Sequence, residues 1–104
     1  MADYYVRDNA ELRLLDDATR RWRCGERGLH LGGHGGVPVK GALGRGTLAT
    51  INWVGAGHMI RRESSVTRVF LNGEPVREAG LLDGDQIKVG RTTFVYAVPA
   101  SNEG

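Results

Sequence analysis

Val69-Phe70-Leu71-Asn72-Gly73-Glu74-Pro75-Val76, followed by Leu81-Leu82-Asp83-Gly84-Asp85-Gln86-Ile87-Lys88-Val89-Gly90, is the stretch on which the fold turns. Asn-Gly between two short runs is the strongest local signal for a β-hairpin, because both residues tolerate the positive φ that a tight reversal demands. Asp83-Gly84-Asp85 could be a carboxylate pair that does chemistry or a turn that ends one strand and starts the next. The alternation after it favours the turn. Ile87 and Val89 point to one face and Lys88 to the other, while Gly84 supplies a permissive backbone and the aspartates cap nearby amides. Gly73, Asp83, Gly84 and Asp85 are therefore read as structural turns.

Period-two patterning extends outward from this stretch. It recurs at Leu12-Arg13-Leu14, Trp22-Arg23-Cys24, Leu29-His30-Leu31, Leu48 to Trp53, Met59-Ile60, Val69 to Leu71 and Thr93 to Val98, and less clearly from Leu43. Sixteen glycines, roughly twice the usual share of about 7%, punctuate these runs. Turn signals about every 8 to 12 residues predict an all-β sandwich or barrel. Asp8 to Arg23 could form a helix with Leu12, Leu15 and Thr19 on one face. A hairpin with strands Glu11 to Leu15 and Arg20 to Cys24 is preferred, because Asp16-Asp17-Ala18-Thr19 suits a turn and both flanks alternate.

The 104 residues suffice for one core and one domain, expected at 9–99, with a loose segment at 1–8 and a disordered tail at 100–104. A formal charge of +2 is too small to imply nucleic acid by itself. Nearly all the cations are arginine, which suits bidentate contact with acidic groups on a partner. A single cysteine, Cys24, rules out an intramolecular disulfide and a multi-cysteine zinc site, and fits a reducing compartment. No apolar run reaches the roughly 20 residues of a membrane span and no leader pattern opens the chain. The expected location is the cytoplasm, with no membrane association.

The last third of the chain resembles the C-terminal part of forkhead-associated (FHA) domains. In that family a strand, an Asn-Gly turn, a Leu-x-Asp-Gly-Asp turn, an Ile-x-x-Gly strand and a final Phe-x-Tyr or Phe-x-Phe strand follow one another, as do Val69 to Val76, Leu81 to Gly90 and Thr93 to Tyr96 here. Gly28 to Gly33 is similar to the family's apolar-x-Ile-Gly-Arg strand end, and Ala49-Thr50-Ile51 to its Ala-x-Ile strand. The resemblance implies an FHA-like antiparallel β-sandwich of about ten to eleven short strands. Similar endings also close a small RNA-binding module of the ribosomal small-subunit type and ubiquitin-like sulfur carriers. The RNA module, the alternative reading, needs two amphipathic helices before Val69, where residues 44–68 look strand-like. The sulfur carrier needs a Gly-Gly terminus, and this chain ends Ser101-Asn102-Glu103-Gly104.

FHA domains read phosphothreonine through an Arg, a Ser and an Asn-Gly-Thr. The Arg position falls on Gly33, the Ser on Arg45, the following His on Leu48, and Asn-Gly-Thr on Val66-Thr67-Arg68. The resemblance thus implies the scaffold with a degenerate phosphopeptide site. It also points to a bacterial protein-interaction or scaffold module that works with a protein partner or a neighbouring domain of a larger chain. The candidate interaction loops carry Gly33, His34, Arg45, Arg61, Arg62, Arg68 and Asn72. Arg45 with Arg61, Arg62 and Arg68 could form a compensating anion-binding rim.

The remaining motifs read as structure. Gly32 to Gly36 and Gly41 to Thr47 lack the Gly-Lys-Ser/Thr of a nucleotide loop and a following helix. His30, His34 and His58 lack the spacing and the partner ligands of a metal site. Ser64-Ser65 has no histidine at catalytic spacing. No catalytic residue, cofactor or metal is expected, nor binding of nucleic acid or of phosphothreonine in the family's way. Cys24, Trp22 and Trp53 are expected in the core.

Overall fold

The computed structural model describes residues 4–100. A helix, α1 (Tyr4–Asn9), precedes ten strands: β1 (Glu11–Leu14), β2 (Arg21–Arg23), β3 (Leu29–Leu31), β4 (Ala49–Trp53), β5 (His58–Arg62), β6 (Val69–Leu71), β7 (Glu74–Val76), β8 (Glu78–Gly80), β9 (Gln86–Val89) and β10 (Thr92–Ala97). They form a six-stranded sheet, ordered β2-β1-β10-β9-β6-β7, and a four-stranded sheet, ordered β3-β4-β5-β8. Neighbouring strands in both sheets run antiparallel. The all-β sandwich expected from the alternation is the fold observed.

Glu11 to Arg23 forms the hairpin, and of the span Asp8 to Arg23 only Asp8 and Asn9 are helical, at the end of α1. Leu12 faces Trp22 across β1 and β2 and is fully buried, whereas Leu15 is 48% exposed. A helix through these residues would have left the Leu12 face and the β1 edge of the sheet unmatched. Asp17 closes the turn, its Oδ1 accepting from the Thr19 amide at 3.1 Å and from the Thr19 hydroxyl, and these bonds draw its carboxyl below the usual range.

The core lies between the sheets. Leu12, Ile87, Val89, Phe94, Tyr96 and Val69 enter from the larger sheet, and Leu31, Ala49, Ile51 and Ile60 from the smaller. Side chains of this size each contribute about 1.5–3 kcal/mol when fully buried. β9 alternates buried and exposed residues through Gln86, Ile87, Lys88 and Val89, as its sequence predicts. Trp22 and Trp53 are half-buried. Trp22 packs edge-on to Phe94 with centroids 6.1 Å apart, and Trp53 edge-on to His58 at 5.1 Å.

Three local features differ from the sequence reading. Tyr4–Asn9, expected to be loose, is a one-and-a-half-turn helix whose Val6 packs on the core, and the Tyr5 hydroxyl donates to the Pro99 carbonyl at 2.7 Å. The alternation suspected from Leu43 makes no strand; Leu43 is 72% exposed in a loop. β7 is the second arm of the Asn-Gly hairpin, whereas β8 goes unannounced because three residues show no alternation, and Arg77 between them carries the chain from one sheet to the other. Residues 1–3 and 101–104 lie outside the described residues.

Candidate functional site

Strand directions bring four segments to one end of the sandwich. The β1–β2 turn (15–20), the β3–β4 loop (32–48), the β5–β6 loop (63–68) and the β9–β10 turn (90–91) converge there. Long-range hydrogen bonds join them. The Thr67 hydroxyl accepts from the Leu43 amide at 3.0 Å and donates to the Leu43 carbonyl. Arg91 donates its amide to the Lys40 carbonyl at 2.8 Å, and the Lys40 amide donates to Thr92 Oγ1 at 2.7 Å. The Ser64 hydroxyl accepts from the amides of Val66 and Thr67 at 3.1 and 2.9 Å. Few of these loop groups hang free, so the end of the sandwich is a built surface.

Gly33 lies in this end with φ of 77°. A Cβ there would stand 3.0 Å from the Gly46 carbonyl carbon and 3.1 Å from the Thr47 nitrogen. The backbone of the Arg45 loop therefore presses directly on the residue after Gly32. Arg45 and His34 are exposed. His34 lines a shallow cavity of about 320 Å³ with Trp22, His30 and the glycines that follow. Arg61 is exposed and lies 3.9 Å from Glu63, a separation at which a surface pair contributes little. Arg68 is exposed beside Thr67.

Arg62 differs from the expected free rim residue. Its Nε donates to the carbonyls of Ser64 at 2.7 Å and Thr67 at 3.1 Å, so it shapes the β5–β6 loop from within. With Arg61, Glu63, Ser64, Ser65, Arg77 and Glu78 it lines an open cleft of about 740 Å³.

Asn72, expected with the interaction loops, sits at the opposite end of the sandwich because it follows β6 whereas residues 63–68 precede it. Its φ is 51°. Its Nδ2 donates to Asp85 Oδ1 at 3.0 Å, and its Oδ1 accepts from the Gln86 amide at 2.9 Å. Asp85 Oδ2 accepts from the Leu82 amide at 2.8 Å, and Asp83 Oδ1 from the Val98 amide at 2.7 Å. Gly73 and Gly84 have φ of 87° and 92°. Three of the four carboxylate oxygens of the acidic turn thus accept from this chain's own backbone or from Asn72.

Sequence reasoning passed over Thr67 as the tie between loops, and over Lys40 and Arg91 as further cations at the same end. Lys40 and Arg91 are fifty-one positions apart and no local pattern joins them. His58, set aside with His30 and His34 as no metal site, is fully buried: its Nδ1 lies 2.7 Å from the Tyr96 hydroxyl and its Nε2 2.8 Å from the Gly25 carbonyl. Among the described residues no three His, Cys, Asp or Glu side chains converge as metal ligands. No helix there is long and apolar enough to cross a membrane.

No protein-family model and no curated sequence matches this chain. Solved structures do. The FhaA FHA domain complexed with the intracellular domain of Rv3910 is 25% identical, with a TM-score of 0.72 over 85% of this chain and 99% of that one. Mycobacterium tuberculosis EmbR in complex with a low-affinity phosphopeptide is 22% identical with a TM-score of 0.78, over 93% of this chain and 26% of that one. The FHA domain of an Arabidopsis thaliana hypothetical protein is 18% identical with a TM-score of 0.74, over 95% of this chain and 92% of that one. Sheet order, turn chemistry and these likenesses agree, and the chain is an FHA-like β-sandwich domain.

Proposed function

We infer that this domain is a non-enzymatic protein-interaction module which meets its partner through loops 32–46 and 61–68, without gripping phosphothreonine in the FHA manner. The observation that carries this reading is the contact between Gly33 and the Gly46–Thr47 backbone. At the position of the family's phosphate-binding Arg this chain offers no side chain: Gly33 is exposed at a φ of 77°, where a Cβ would press on the Gly46–Thr47 backbone at 3.0–3.1 Å. The Ser position holds the exposed Arg45, which adds charge to the rim but offers no small hydroxyl for a phosphate oxygen. Thr67, near the family's Asn-Gly-Thr, spends its hydroxyl on Leu43.

Partner binding through these loops is supported by what remains exposed there. Leu43 and Val66 are 72% and 57% exposed, and Arg45, Arg61, Arg68 and Arg77 are exposed on loops and strand ends at the same end of the sandwich. Exposed apolar residues and arginines at one end of the sandwich suit a protein surface with acidic and apolar groups, since arginine makes bidentate contacts with carboxylates and is enriched where binding energy concentrates. A scaffold role in a cytoplasmic bacterial assembly fits this chemistry. The RNA-binding alternative loses its ground, because residues 49–53 and 58–62 are β4 and β5 where it requires helices.

A photo-crosslinking residue at position 45 or 68, compared with one at Lys88 on the outer face of the larger sheet, tests the surface in cells. Discrete protein adducts from 45 and 68 but not from 88 are expected. Adducts from 88 alone would contradict the assignment.

A further inference from the structure

The geometry points to a second site at the same end of the sandwich, away from Gly33, Arg45 and Thr67: a cleft for a phosphate-type oxyanion, formed by Lys40, Arg91 and Arg20 beside Trp22. The cavity has a volume of about 220 Å³ and is also lined by Leu14, Asp16, Pro38, Thr92 and Thr93. Among the described residues, Arg20, Lys40 and Arg91 make no ion pair with a carboxylate. Asp16 is the one acidic group in the lining, so three cations face one carboxylate.

Backbone contacts hold residues 40 and 91 side by side, with Arg20, Lys40 and Arg91 exposed. The Arg91 amide donates to the Lys40 carbonyl and the Lys40 amide to Thr92 Oγ1, which ties residue 40 to the β9–β10 turn. Two glycines permit that approach. A Cβ on Gly90 would stand 2.7 Å from the Lys40 carbonyl oxygen, and one on Gly41 would stand 2.4 Å from the Arg91 side-chain stem. Across the cleft the Arg20 guanidinium lies 5.7 Å from the centre of the Trp22 ring. Three like charges in a concave site with a single carboxylate, Asp16, and no ion pair to it leave net repulsion, and an anion relieves that cost while collecting charge-assisted hydrogen bonds. A phosphate dianion satisfies three cations better than a single carboxylate does. The half-buried indole wall suits a carrier with a planar aromatic group, so the oxyanion could be free or borne by a nucleoside.

Amide and indole shifts of the whole chain, followed at fixed ionic strength with inorganic phosphate, ADP and adenosine as probes, test the site. The expected result is saturable shifts at Lys40, Arg91, Thr93 and the Trp22 indole with both phosphate and ADP. Lys40→Gln and Arg91→Gln should each weaken binding about tenfold or more, as befits loss of a hydrogen bond to a charged group. Arg45→Gln should leave it unchanged, and the amide spectra of the variants report whether the fold is kept. ADP binding tighter than phosphate would assign a nucleoside-borne oxyanion, and equal affinity a free one. Absence of saturable shifts with phosphate and ADP would overturn the site, as would shifts that survive both substitutions, or adenosine binding as tightly as ADP.

Discussion

Asn72 and Asp85 belong to two different turns and hold each other: Asn72 Nδ2 donates to Asp85 Oδ1 at 3.0 Å, while the amide of Gln86, next to Asp85, donates back to Asn72 Oδ1 at 2.9 Å. The Asn-Gly turn and the Asp-Gly-Asp turn are thereby one unit, at the end of the sandwich opposite the converging loops. Gly84→Val forces a β-branched residue to a φ of 92° and should cost about 1–3 kcal/mol. Asp85→Asn surrenders one acceptor and should cost about 1 kcal/mol, with partner binding unchanged. Urea denaturation of both variants checks the order. Loss of binding by Asp85→Asn with the fold intact would make the turn functional instead.

The His58–Tyr96 pair supplies the second prediction. Because the Gly25 carbonyl only accepts, His58 Nε2 carries the proton and the Tyr96 hydroxyl donates to Nδ1. Burial disfavours the imidazolium and lowers the His58 pKa from 6.5, with the Gly25 hydrogen bond opposing in part. The unfolded chain then binds this proton more readily than the folded one. Stability is present in full above the unfolded value of about 6.5 and falls as the pH drops below it. The urea midpoint should decline as the pH falls below the unfolded value of about 6.5. Tyr96→Phe leaves Nδ1 unpaired and should cost about 1–3 kcal/mol at neutral pH.

Cys24 is 2% exposed, and burial, with a smaller contribution from Glu11, pushes its thiol up to about 12. A thiol held in its protonated form reacts slowly with alkylating reagents. Iodoacetamide at pH 8 should leave the native protein unlabelled over a time in which the urea-unfolded chain is modified completely. Equal labelling rates would show that Cys24 is reached without unfolding.

Thr67→Val keeps the shape of the side chain and removes the tie to Leu43. The Leu43 amide loses its Thr67 Oγ1 partner, so hydrogen exchange in residues 41–46 should speed by about tenfold. The central strands β9 and β10 should keep their protection. Unchanged exchange in 41–46 would show that other contacts fix the loop.

The strands were legible because each carries its own evidence. Ile87-Lys88-Val89 alternates by itself, and Asn72-Gly73 names its turn before any partner is known. β8 left little trace, since Glu78-Ala79-Gly80 is a strand only because β5 offers it an edge. The helix at Tyr4–Asn9 is likewise held by tertiary contacts with the core and Pro99 rather than by a pattern. The candidate site was half legible. Gly33 and Arg45 stood out against a motif, whereas Arg62 turned from rim to clamp and Asn72 moved to the far end once strand directions were fixed. Thr67, Lys40 and Arg91 acquire their roles from contacts that span twenty-four and fifty-two residues, distances at which local patterning carries no signal.

Titration of the isotope-labelled protein with a phosphothreonine peptide library, read through the backbone amides, tests the central claim most directly. The account predicts no saturable shift at Gly33, Arg45 or residues 66–68 that depends on the phosphoryl group. Saturable micromolar shifts at those positions, lost when the threonine is unphosphorylated, would contradict it.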